Sequence, residues 1–171
     1  MQSNKILYSI APQNLRFCGD PDKTPQRETR RNPSRFSARE FGNRGEDIAA
    51  EYLKKHGWKI ITRNYAENGG EIDIVGYKRG KLAFFEVKTR SNESFGRPAD
   101  AVDAAKTAKI KKAARAFRTE CMRGGKVPVP FLFGKTIGRR VYKQSVDIIE
   151  IMLTHGGELL ELNHIKEAEK L

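Results

Sequence analysis

Residues 71–90 read EIDIVGYKRGKLAFFEVKTR and predict two β-strands, 71–77 and 81–90, that are joined by a short turn. Arg79 and Gly80 occupy that turn, and the apolar runs on either side of them are typical of a β-hairpin. Both runs also contain charged residues at positions where a buried strand normally carries apolar ones. The hairpin is therefore expected to contain more than a structural core.

The alternation of side chains along a strand separates these charges from the apolar positions. On the first strand, Ile72 and Ile74 are expected on one face and Asp73 on the other. On the second strand, Glu86 and Lys88 share a face. Two acidic residues and a lysine are thus expected on neighbouring strands.

A hairpin that turns at residues 79–80 places Asp73 opposite Glu86 and Glu71 opposite Lys88. Two opposed carboxylates destabilise a strand pair unless a cation lies between them, and Mg²⁺ and Mn²⁺ prefer such hard oxygen ligands. An adjacent lysine can orient a water molecule or, as the neutral amine, deprotonate it. This set predicts metal-dependent hydrolysis of a phosphodiester, with salt-bridged carboxylates on a structural sheet as the alternative.

Apolar residues at helical spacing predict a first helix over 41–56, which ends before Gly57. Glu46 falls inside the apolar arc of this helix, in line with Ala49 and Leu53. It is expected to point toward the protein and to complete an acidic pocket over the hairpin. The alternative is an acidic residue in the first turn that the helix dipole stabilises.

A second helix is predicted over 98–118, with Lys106 inside its apolar arc and Lys109 at the edge of that arc. Either lysine can also extend its charged end out of an apolar stripe into water. Further strands are predicted over 59–65, 127–133 and 145–153, which gives the order α-β-β-β-α-β-β. Residues 134–144 are expected to form a basic loop and residues 164–171 a frayed helix.

The 171 residues carry 33 Lys and Arg against 21 Asp and Glu, a net charge of +12, which favours an anionic partner. Composition predicts one domain over 39–171 and a disordered basic tail over 1–38. No apolar stretch is long enough to span a membrane, and two distant cysteines, Cys18 and Cys121, indicate the reducing cytoplasm. His56, His155 and His164 lack metal-ligand spacing and are expected on the surface or in packing, whereas Trp58 is expected in the core.

These strings resemble a known family. GNRGEDIAAEYLKKHGWKIITRNY, GEIDIVG, FFEVKTR and FGRPADAVDAAKTAKIKKAA, over roughly residues 40–118, are similar to the YraN-type family of bacterial resolvase-like proteins. That family lies in the Holliday junction resolvase-like branch of the PD-(D/E)XK nucleases. The chain departs from the superfamily pattern at Ile72, where a proline commonly precedes the acid, and in a longer segment before the last predicted strand.

The resemblance implies an α/β, restriction-endonuclease-like fold with a mixed β-sheet flanked by helices. It implies a Mg²⁺- or Mn²⁺-dependent endonuclease acting on DNA, with branched DNA as one candidate substrate, and a homodimer by analogy with resolvases. A catalytically silent nucleic-acid-binding module in DNA processing or uptake is one alternative, and a basic scaffold that binds RNA or ribosomes is another. The implied catalytic set is Glu46, Asp73, Glu86 and Lys88, with Asp73, Glu86 and Glu46 as metal ligands; the candidate nucleic-acid contacts are Lys106, Lys109, Arg90 and Arg97.

Overall fold

The computed structural model describes residues 4–6, 36–91 and 104–171. It contains two long helices, eight strands and one 3₁₀ turn within those residues. The helices are α1 (Ala38–Lys55) and α2 (Ala104–Cys121), and the 3₁₀ turn is Leu132–Gly134. The strands are β1 (Asn4–Ile6), β2 (Lys59–Glu67), β3 (Gly70–Lys78), β4 (Lys81–Ser91), β5 (Lys126–Pro130), β6 (Thr136–Arg140), β7 (Lys143–Leu153) and β8 (Leu159–Lys170).

Six strands form one mixed sheet in the order β1-β8-β7-β4-β3-β2. The central pair, β4 and β7, is parallel, and the other pairs are antiparallel. Parallel neighbours need a crossover connection, and the chain between these two strands supplies it with α2 and a separate two-stranded sheet of β5 and β6. This confirms the predicted α/β, restriction-endonuclease-like architecture.

Each helix covers one face of the sheet. The α1 face is built on Leu53, Ile74 and Phe85, and Trp58 joins this core as predicted, with its ring centroid 5.0 Å from that of Phe85. The opposite face packs Phe84 against Phe117 of α2. A strand such as β4 therefore contributes side chains to two separate cores.

Helix α1 starts three residues earlier than predicted because a capping box fixes its beginning. The Ser37 hydroxyl accepts a hydrogen bond from the Glu40 N–H at 3.3 Å, and the Glu40 carboxylate accepts one from the Ser37 N–H at 2.9 Å. Gly57, at φ +80°, follows the helix. The first described residue of α2 is Ala104, so its predicted beginning at 98 lies outside the described residues.

Two sequence predictions about the second half of the chain are wrong. The basic segment 134–144 contains strand β6, which pairs with β5, rather than being a loop throughout. The segment 164–171 is not a frayed helix, because it belongs to β8, which pairs with β7. In β8, Leu162 and His164 are buried at a spacing of two residues, which is the period of a strand.

Little of the predicted tail belongs to the described residues. Asn4–Ile6 forms β1, with Lys5 in register with Asn163 of β8, and residues 7–35 lie outside the described part of the chain. Disorder of the tail therefore stays a prediction. Neither described helix is both long and apolar enough to cross a lipid bilayer.

Candidate active site

The β3–β4 hairpin has the predicted register over five residue pairs, from Lys78–Lys81 to Ile74–Phe85. Arg79 and Gly80 both have positive φ, 46° and 86°, as a two-residue hairpin turn of the primed type requires. The paired ladder stops there, one position before Asp73 and Glu86. The turn chemistry thus fixes which residues meet at the open end of the hairpin.

Asp73 interrupts the regular alternation of β3. Ile72 and Ile74 were expected on one face, but Ile72 packs in the α2 core and Ile74 in the α1 core, so that prediction is wrong. The Asp73 carboxylate accepts a hydrogen bond from the Val87 N–H at 2.7 Å. Asn64 lies opposite on β2 with φ 51°, so both strands depart from regular geometry at this point.

Glu86 is 2 % exposed on β4 and lies under the first described turn of α2. Its Oε1 forms an ion pair with Lys106 Nζ. Neither carboxylate oxygen has a hydrogen bond of acceptable geometry with the described residues. A buried carboxylate is costly unless it is paired and hydrogen-bonded, so Glu86 has unused capacity for a cation.

Lys106 responds to this acidic surrounding. Partial burial lowers the pKa of Lys106. The contact with Glu86 and the negative charges of Glu86, Asp73 and Glu71 together raise it by more than burial lowers it, so the net shift is upward. Lys106 thus stays protonated and supplies a positive charge beside the two carboxylates. Its position inside the apolar arc of the helix, noted from the sequence, reflects this contact with the sheet.

The surroundings of Asp73 disfavour its negative charge. Burial is the main cause that raises its pKa from 3.8 to about 6, and the charges of Glu86 and Glu46 add to it. The Val87 N–H and the charge of Lys106 act in the opposite direction and do not cancel the shift. A nearby cation would favour the ionised form.

Glu46 lies on α1 with its side chain 20 % exposed, and its charge acts on Asp73. The Arg63 guanidinium of β2 lies 3.5 Å from the Glu46 carboxylate and 2.7 Å from that of Asp47. Arg63 was missed in the sequence analysis. The available signal was its place on the strand that precedes the hairpin, but its ion pairs depend on how α1 packs.

The approach of α1 to the sheet depends on Gly45. A Cβ at this position would lie 1.9 Å from Oγ1 of Thr89, so only glycine allows the helix to rest on this part of β4. On the other face, a Cβ on Gly70 would lie 2.2 Å from the Lys109 carbonyl oxygen of α2. The two glycines let both helices approach the open end of the hairpin closely.

Lys88 lies half-buried on β4, two residues beyond Glu86, and is in register with Glu150 of β7. The expected pairing of Lys88 with Glu71 is wrong, because the β3–β4 ladder ends before it and Glu71 is in register with Ala66 of β2. Lys88 and Glu71 form no ion pair with each other in the described structure. The lysine therefore remains available to a ligand at this end of the strand.

A cleft of about 600 Å³ is lined in part by Glu46, Val87, Thr89 and Arg90, and its lining does not include Asp73, Glu86 or Lys88. Arg90 and Glu46 thus line the same cleft. Lys109 is exposed on α2 and lines a separate depression of about 440 Å³ with Glu71. Arg97 lies outside the described residues.

The donor set is suited in kind to a divalent metal, although its carboxylates are divided among different partners. Glu86 contacts Lys106 and Glu46 contacts Arg63, and the described residues contain no group of three acidic, His or Cys side chains arranged to hold an ion. The buried, under-bonded Glu86 and the raised pKa of Asp73 both favour a cation beside them. Asp73 and Glu86, with Glu46, are the residues that would hold it.

A second polar cluster, on the α1 face, was also missed. Fully buried Asp147 of β7 accepts hydrogen bonds from the Ser145 hydroxyl at 2.6 Å and the Glu167 N–H at 3.0 Å, and its carboxylate lies 3.0 Å from His164 Nε2. Lys81 Nζ lies 3.3 Å away. Burial raises the pKa of Asp147, but the contacts with His164, Ser145, Glu167 and Lys81 lower it more, to about 2. The sequence signal was an aspartate centred in the apolar run VDIIEI; His164 packs in the interior, as expected for a histidine without metal spacing.

Comparison with known proteins gives consistent matches to one group. The model of "Uncharacterised protein family UPF0102" matches residues 45–151. A UPF0102 protein of Carboxydothermus hydrogenoformans is 48% identical over 82 residues, which are 48% of this chain and 70% of that protein. UPF0102 proteins of Dictyoglomus thermophilum and Syntrophomonas wolfei are each 36% identical over 130 residues, which are 76% of this chain and 97% of each relative.

Proposed function

The chain belongs to the UPF0102 family, the YraN-type family that its motifs resemble, and it carries Asp73, Glu86 and Lys88 on a restriction-endonuclease-like sheet with Lys106 of α2 beside them. We propose that it is a Mg²⁺- or Mn²⁺-dependent endonuclease that hydrolyses DNA. The observation that carries the proposal is the Glu86 carboxylate. It is buried, its ion-pair partner among the described residues is the single ammonium of Lys106, and it lies beside Asp73, whose pKa is raised. In a purely structural core, a buried carboxylate with so few hydrogen bonds would destabilise the fold, whereas perturbed carboxylates of this kind are common at functional sites.

Each residue has a distinct role in this proposal. Asp73 and Glu86 hold the metal, and Glu46 contributes from α1. The bound ion would neutralise charge on the phosphate and lower the pKa of its water. Lys88 orients the attacking water, while Lys106 and Arg90 bind phosphate oxygens along the DNA backbone.

The test is cleavage of labelled duplex, flapped, single-stranded and four-way-junction DNA with Mg²⁺ or Mn²⁺. We expect Glu86→Ala and Lys88→Ala to reduce the cleavage rate by at least about 100-fold, because each removes a group that acts directly on the reacting phosphate or water. Lys54→Ala, on the exposed far end of α1, is the matched control and should cut at the wild-type rate. Equal cleavage by all three variants, or none by the wild type, would contradict the proposal.

A catalytically silent nucleic-acid-binding module is the second candidate. Its supporting observation is that Lys106 already neutralises Glu86, so a positive charge is present without any ion. Isothermal titration with Mn²⁺ separates the two candidates independently of turnover. The nuclease requires Mn²⁺ binding that Asp73→Asn and Glu86→Gln weaken, whereas a module built on the Lys106–Glu86 ion pair binds DNA equally well with and without the metal.

A further inference from the structure

Residues 126–140, here called the basic hairpin, comprise β5, the 3₁₀ turn and β6. Its base is fixed to the domain, because Val127 and Val129 are buried in the α2 core and the Tyr77 hydroxyl donates to the Arg140 carbonyl at 3.1 Å. The adjoining Tyr142 N–H donates to the Gly80 carbonyl at 2.8 Å. The catalytic set does not use this element.

The tip of the basic hairpin is apolar and exposed. Phe131 and Leu132 are 56% and 62% exposed, and Phe133 is 95% exposed. Phe133 also has φ 56° and ψ 39°, a left-handed conformation that is unfavourable for a bulky residue. Packing within the described residues does not offset this strain, so the exposed ring is suited to contact a ligand.

The strands of the basic hairpin carry uncompensated positive charge. Lys126 is in register with Arg140, and like charges directly opposed across strands repel. The surrounding segment 121–146 contains six Lys and Arg residues and no Asp or Glu. Four of these cations form no ion pair with any residue in the described ranges: Lys126, Lys135, Arg139 and Arg140. An anion bound between the Lys126 and Arg140 side chains would remove their repulsion.

We propose that the basic hairpin binds DNA where bases are unstacked, as at a branch point or flap, with Phe133 stacked on an exposed base and Arg139, Arg140 and Lys126 on the adjoining phosphates. This inference deepens the proposed function by naming the substrate class, and it rests on that function for cleavage but not for binding. Aromatic stacking combined with a positively charged track is how proteins hold unpaired nucleic acid.

The distribution of charge favours this occupant over a membrane surface. The cations are not confined to the tip, since Lys126 and Arg140 lie at the base of five-residue strands that span about 17 Å. A bilayer would meet the tip alone, whereas a polynucleotide that leaves Phe133 can follow the strands. The base of the hairpin also packs in the α2 core, on the face of the sheet where Lys106 meets Glu86.

The test measures binding without divalent metal, by anisotropy of the full chain with a labelled four-way junction and a blunt duplex of equal length. We expect the wild type to prefer the junction and Phe133→Ala to weaken junction binding about tenfold, with little effect on the duplex. Phe133→Trp should restore the preference. Arg139→Ala with Arg140→Ala should weaken binding to both DNAs and lower the salt slope by about 2. Leu160→Ala, which removes an exposed apolar side chain from β8, is the matched control and should bind like the wild type.

The outcomes separate this inference from the nuclease proposal. Loss of junction binding in Phe133→Ala supports it even if no DNA is ever cut. Junction binding that is unchanged in Phe133→Ala overturns it even if cleavage depends on Glu86, as does equal binding of junction and duplex by the wild type. A hairpin that inserts Phe133 into vesicles of anionic phospholipid, and leaves junction binding unaffected when Phe133 is replaced, would assign the surface to a membrane instead.

Discussion

The surroundings of Asp73 disfavour its negative charge, whereas its proposed role as a metal ligand requires that charge. Its pKa of about 6 means that the folded chain binds a proton there more readily than the unfolded chain, in which the ordinary value is 3.8. The free energy of unfolding therefore falls as pH rises from about 4 to about 6, and it stays lowered above pH 6. Asp73 thus destabilises the metal-free protein at neutral pH.

Asp73→Asn should consequently stabilise the metal-free protein. We expect the free energy of unfolding to rise by about 1–2 kcal/mol at pH 7.5, because the amide keeps an acceptor for the Val87 N–H and removes the disfavoured charge. Urea unfolding with a chelator present, at pH 7.5 and at pH 4, is the measurement. The difference should largely vanish at pH 4, and Asp47→Asn, whose side chain is 55% exposed, should show little effect at either pH. A variant no more stable than the wild type at pH 7.5 would contradict the assignment.

Among the elements, α1 depends on a difference between two glycines. A Cβ on Gly45 would collide with Thr89, whereas a Cβ on Gly42 has open space around it. Glycine inside a helix is less favourable than alanine by about 0.5–1 kcal/mol, so the cost at Gly42 has no compensation from packing. At position 45, glycine lowers helix propensity but allows α1 to approach β4 closely.

Gly45→Ala and Gly42→Ala should therefore change stability in opposite directions. We expect Gly45→Ala to lower the free energy of unfolding by about 2–3 kcal/mol through the clash with β4, and Gly42→Ala to raise it by about 0.5 kcal/mol. Thermal and urea unfolding of both variants check this. Thr89→Ala should recover part of the loss in Gly45→Ala, because it removes the hydroxyl that the new Cβ would meet. Two variants of equal stability would show that α1 does not rest on Thr89.

The elements that the sequence predicts well are those whose local signals agree with their packing. The turn at Arg79 and Gly80 fixed the hairpin register, and apolar spacing located α1 and the body of α2. All five residues of strand β6 are exposed, so its sequence shows no alternation of apolar and polar positions. Strand β8 contains many charged residues, and its sequence is similar to that of a surface helix. Partners of charged groups were harder to predict, since Arg63–Glu46 and Lys106–Glu86 join elements that meet only in the folded chain.

In the whole molecule, the sheet separates two buried polar groups. Glu86 lies on the α2 face with too few donors, whereas Asp147 accepts several hydrogen bonds on the α1 face. The first group suits a ligand, and the second joins β4, β7 and β8 through Lys81, Ser145 and His164. The proposed function and the stability of the fold thus rest on different carboxylates of neighbouring strands.

Asp147→Asn should destabilise the protein strongly at neutral pH. We expect a loss of about 3 kcal/mol at pH 7, since the Lys81 ammonium would lose its buried charge partner. The folded-state pKa of Asp147 is about 2, so its contribution is present above pH 4 and is lost as pH falls through 2. Urea unfolding at pH 7 and pH 3 should show a smaller difference at pH 3. Glu51→Gln, on the exposed side of α1, should match the wild type, and an Asp147→Asn protein of wild-type stability would refute a structural role.

The parallel pairing of β4 with β7 also has a consequence for the order in which the domain assembles. The β3–β4 hairpin closes over a two-residue turn. Lys81 pairs with Lys143 only across the long connection that contains α2 and the basic hairpin. Such a non-local contact has a large loop-closure entropy and is typically slow to form. During synthesis, β4, which bears Glu86 and Lys88, thus leaves the ribosome well before β7, so its parallel neighbour in the sheet is still missing when β4 first emerges.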